Sequence, residues 1–71
     1  MKLRGTVEFR DLEGGFFELA AEDGERYTLL GKKSELHAAQ GQRVEIEGRL
    51  DEGYGISMAG RQLKVEKLRK L

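Results

Sequence analysis

Apolar and polar residues alternate along most of the chain. Leu3, Gly5, Val7 and Phe9 fall on one parity, and Arg4, Thr6, Glu8 and Arg10 on the other. Period two with one polar face is the signature of a half-buried strand. Asp11-Leu12-Glu13-Gly14-Gly15 reads as a turn, since paired glycines supply positive φ without steric cost. Phe17, Leu19 and Ala21 then take the inward parity, with Phe16, Glu18 and Ala20 outward. The Asp23-Gly24 pair is a strong hairpin signal. It leads into a third strand with Tyr27 and Leu29 inward and Arg26, Thr28 and Leu30 opposite.

The period changes at Gly31. Residues 34–40 hold helix formers, with Ser34 as the expected N-cap, Gly41 as the stop, and Leu36 with Ala39 or Gln40 on the inner side. Alternation resumes with Val44, Ile46, Gly48 and Leu50 inward. Arg43, Glu45, Glu47 and Arg49 face outward, a pattern suited to cross-strand ion pairs. Residues 51–55 read as a loop, Ile56 and Met58 as a short apolar strand, and Ala59-Gly60 as a turn. Gln62 to Leu68 forms the last strand, with Leu63 and Val65 inside and a parity break at Lys67-Leu68 that predicts a bulge or a frayed end.

Five or six short strands with one polar face leave exposed edges in an open sheet this small, whereas closure into a barrel removes them. The reading is therefore an all-β barrel of five to six strands, with one short helix between strands three and four. An SH3-like barrel is the runner-up, but it does not call for a helix at 34–40. The expected inner layer is Leu3, Val7, Phe9, Phe17, Leu19, Tyr27, Leu29, Leu36, Val44, Ile46, Ile56, Met58, Leu63 and Val65.

Size and charge narrow the rest. Seventy-one residues make one domain, 1–71, burying about 60% of the surface its unfolded chain exposes. Cysteine is absent, so no disulfide or thiolate metal site is expected. No apolar run is long enough for a membrane span, and Met1 to Gly5 alternates unlike a signal peptide, so a cytoplasmic location is expected. Proline, tryptophan and asparagine are missing while Glu, Arg and Lys abound, a composition that points to a thermophilic source. Thirteen basic residues balance thirteen acidic ones, which removes any bulk attraction to nucleic acid or an anionic membrane. The balance is uneven along the chain. Residues 11–31 hold six carboxylates against Arg26 alone, a net of −5, and the cations gather towards both ends.

The whole chain resembles small bacterial proteins of the oligonucleotide/oligosaccharide-binding (OB) fold. The likeness is carried by Gly5-Thr6-Val7, Gly15-Phe16-Phe17-Glu18-Leu19, Glu25-Arg26-Tyr27-Thr28-Leu29, Gly31, Leu36, the run Gly41-Gln42-Arg43-Val44-Glu45-Ile46-Glu47-Gly48, and Leu63-Lys64-Val65. These are structural positions. Such families generally lack an assigned activity, so the resemblance implies a barrel and leaves function open.

OB barrels bind ligands across strands two and three and the flanking loops. The matching candidates are Phe16, Arg26, Thr28, Tyr54 and Arg61. Aromatic platforms with flanking cations suit single-stranded nucleic acid, but the −5 stretch opposes phosphate there. A second basic surface would arise if strands one and five were neighbours, bringing Arg4 and Arg10 to Lys64, Lys67, Arg69 and Lys70. No catalytic set stands out. His37 is the lone histidine, with no cysteine or second histidine to complete a zinc site. Glu45 and Glu47 share a face with arginines, and Ser34 and Ser57 lack a histidine–carboxylate partner pattern. The expectation is a non-catalytic binding module without cofactor or metal, its partner a protein or small molecule. Weak single-stranded nucleic-acid binding and a structural or homodimerising role are the alternatives.

Overall fold

The computed structural model describes residues 1–11, 14–51 and 61–71. The alternating segments become β1 (Lys2–Arg10), β2 (Phe16–Ala21), β3 (Arg26–Leu30), β4 (Arg43–Asp51) and β5 (Arg61–Lys70), with α1 (Lys33–Ala38) between β3 and β4. The strands close into a barrel in the order β1-β2-β3-β5-β4, with β4 returning to β1. Among the described residues all pairings are antiparallel except β3 with β5, and they form a five-stranded closed barrel with one short helix, compatible with an OB-like arrangement. Ile56, Met58 and Tyr54 lie outside the described residues.

Inward parity fills the barrel. Val7, Leu19, Val44, Ile46 and Leu63 are wholly buried, joined by Phe17, Tyr27 and Leu29. Leu3, Leu50, Val65 and Leu68 are half-buried and pack against that cluster. Removing such side chains from water is the main stabilising contribution, at about 1.5–3 kcal/mol each. Two inward positions hold glycine because another strand's backbone comes too close for a side chain. A Cβ on Gly5 would run into the Ala20 carbonyl, and one on Gly48 into the Lys64 carbonyl. Glu47 pairs with Lys67 but Gly48 with Val65, so Glu66 is the extra residue of a bulge. That bulge carries the parity from Leu63 and Val65 over to Leu68, one residue earlier than the sequence break suggested.

The helix plugs one end, burying Leu36 and, just beyond its end, Ala39. It starts a residue earlier than expected. The N-cap is Lys32 and no side chain caps it, so Ser34 is the second helical residue rather than the cap. Its end is held to β1: the Gly41 amide donates to the Val7 carbonyl (2.7 Å) and the Val7 amide to the Gln42 carbonyl (3.1 Å).

One expected core residue is not in the core. Phe9 has the inward parity but is 42% exposed. β4 leaves β1 after the Thr6–Arg43 pair, so among the described residues Phe9 has β2 on one side and no strand wall on the other. Its ring instead meets Phe17 edge-on, with centroids 5.2 Å apart. Two outward residues deviate in the opposite sense: Glu18 and Thr28 are buried, at 5% and 8% exposure. The supposed neighbours β1 and β5 are also separated, each lying on a different side of β4.

A rim cleft and the charged strand faces

The position of Phe9 at the barrel rim creates a cleft of about 350 Å³. Gly14 and Gly15 of the β1–β2 turn border it, with Phe16 and Phe17 following at the start of β2. The end of β3 contributes Thr28, Leu29, Leu30 and Gly31. Lys33 and Leu36 of the helix complete the lining. Gly15 has a φ of 92°, and a Cβ there would sit 2.7 Å from the Phe9 ring, so this turn admits no ordinary side chain without displacing the aromatic. The cleft volume is at the low end of small-ligand sites.

Two lining residues are polar. Lys33 is exposed, is the only charged side chain bordering the cleft among the described residues, and makes no ion pair among them. The Thr28 hydroxyl is shut off from solvent and has no hydrogen-bond partner among the described residues. A buried donor left unpaired costs about 1–3 kcal/mol.

Beside the cleft, the outer face of β1, β2 and β3 is charged but internally matched. Register puts Glu8 directly opposite Glu18, a pairing that repels. Arg26 resolves it: Nη1 donates to Glu8 Oε1 and Glu18 Oε1, each at 2.9 Å, and Arg10 Nε donates to Glu18 Oε1 at 3.0 Å. These arginines cover Glu18, which is why an outward carboxylate is buried. Hydrogen bonds from Arg26 to Glu8 and then to Glu18 hold the guanidinium pKa above its usual value.

A second matched cluster spans β1, β4 and β5. Glu45 stands opposite both Arg4 and Arg69. It accepts from Arg4 Nε at 3.2 Å and from Arg69 Nη2 at 2.8 Å. The hydrogen bond from Arg4, ahead of the field of Arg69, lowers the Glu45 pKa below the usual carboxylate range. Lys2 pairs with Glu47, Arg49 with Glu66 and Arg43 with Glu22. The terminal cations are thus interleaved with carboxylates and do not merge into one basic surface.

Of the sequence candidates, Phe16 and Thr28 line the cleft. Arg26 is bound up in the Glu8–Glu18 bridge, and Arg61 opens β5 opposite Tyr27 and is not among the cleft's lining. Tyr54 lies outside the described residues. Sequence reasoning missed Phe9, Leu30 and Lys33. The available signals were the place of Phe9 at the very end of its strand and of Lys33 beside the helix start. His37 is exposed and rests edge-on against Phe17 at 6.4 Å. Among the described residues no three His, Cys, Asp or Glu side chains gather to hold a metal ion, and no helix is long and apolar enough to cross a membrane. No protein-family model, curated protein or solved structure matches the chain.

Proposed function

We propose that this chain is a non-catalytic binding module of OB type, and that its ligand seats in the rim cleft. The observation that carries this reading is an apolar, aromatic-lined cleft whose wall includes Phe9, a large hydrophobic residue left 42% open to water. An exposed aromatic beside a mostly apolar concavity favours a bound partner, because the ring gains burial only when something covers it. The OB assignment draws support from the strand order and from the helix between β3 and β4. Single-stranded nucleic acid is the weaker account of the same face. Its two nearest arginines are engaged by Glu18 and Glu8, so a phosphate would have to displace carboxylates.

The test is a ¹H–¹⁵N correlation titration of the full chain with benzyl alcohol, a neutral aromatic probe, at millimolar concentration. Saturable shifts at the amides of Phe9, Gly15, Leu30 and Gly31 are expected. Their absence, or shifts spread evenly over the barrel, overturns the reading. Light scattering across concentration separates the homodimer alternative, in which a second copy covers Phe9 and blocks the probe as concentration rises.

A further inference from the structure

We propose that the cleft recognises an aromatic carboxylate: a planar ring bearing one negative charge on a short arm. This rests on the binding-module reading above and names the chemistry of its ligand. Three features of the cleft argue for it together. Phe9 and Phe17 already meet edge-to-face at 5.2 Å and 63°, and Phe16 borders the same space, so a third ring finds both ring edges and faces to pack against. Lys33 is the only charge on the lining among the described residues, and it is a cation with no carboxylate beside it. Leu29, Leu30 and Leu36 supply the remaining apolar wall, while the Thr28 hydroxyl is closed off from the open space.

The complement of that lining is an apolar ring with one anion for Lys33. A single carboxylate on a short arm supplies that anion. A polymer of phosphates fits less well. The outer face leading away from the cleft carries Glu8 and Glu18, whose arginine partners are already used, so of the cleft's lining only Lys33 offers an incoming anion a cation. The lysine is a point charge suited to a single carboxylate rather than to bidentate capture.

The experiment compares two probes of equal shape on the full chain at low salt and neutral pH: 3-phenylpropionate and 3-phenylpropanamide. Cleft amides follow the binding. The carboxylate is expected to bind about three- to tenfold more tightly than the amide, the range of a partly exposed, charge-assisted contact. In Lys33→Met the preference is expected to vanish while the amide's affinity stays unchanged. Equal binding of the two probes to the unmodified chain, or a preference that survives Lys33→Met, overturns the carboxylate assignment and leaves the binding-module reading standing. If neither probe moves the cleft amides, the binding-module reading falls as well.

Discussion

Thr28 faces outward by parity, yet it is buried with its hydroxyl unpaired. Such a group is tolerated at a cost to the fold, and valine has the same shape without the donor. Thr28→Val is therefore expected to raise the unfolding free energy by about 1 kcal/mol, measured by urea denaturation. A variant less stable than the parent would mean the hydroxyl has a partner. Tyr27 makes the opposite case. Its hydroxyl donates to Asp23 Oδ2 at 3.0 Å, and burial first, then that bond, pushes its pKa upward. A raised folded pKa means the contribution is whole below the unfolded phenol's titration and is lost as pH rises through the folded value. Tyr27→Phe is expected to lower stability at neutral pH and to flatten the alkaline decline, read from thermal melts between about pH 9 and about pH 11. Residues such as Glu18 mark where the sequence was opaque. Nothing local distinguishes it from a solvated carboxylate; its burial depends on Arg10 and Arg26, each eight positions away, and they meet it only once the strands are in register.

At the level of elements, alternation was legible because one face of each strand is sealed, and slipping by one residue would expose the whole inner set. The four strands beginning at Lys2, Phe16, Arg26 and Arg43 follow that logic directly. Phe9 escaped it because parity says which way a side chain points and not where the neighbouring strand ends. The separation of β1 from β5 escaped it because pairing order depends on the closed topology. β4 sits between them, and Glu45 ties all three together through Arg4 and Arg69. Since the Glu45 pKa is depressed in the fold, its contribution is present above the unfolded carboxylate range and disappears as pH falls through the folded value. Glu45→Gln is expected to lower the melting temperature at neutral pH and to shallow the drop between about pH 5 and about pH 3. Parallel acid limbs in parent and variant would exclude Glu45 as a source of that pH dependence.

For the molecule as a whole, zero net charge conceals local matching: most described arginines sit against a carboxylate on the next strand. Long-range attraction to a polyanion is therefore weak. Fluorescence anisotropy with a labelled oligothymidylate is expected to give no saturable binding at about 50 mM salt, where counterion release would most favour it. A steep salt-dependent isotherm would restore nucleic acid as the partner. The barrel's seams carry another implication. β5 joins β3 through Arg61 to Lys64 on one side and β4 through Gln62 to Lys70 on the other, so both final seals are made by one strand. A nascent chain that has not yet emerged as far as Arg61 holds two unzipped borders at once, and synthesis of this segment is the event that lets the ring shut.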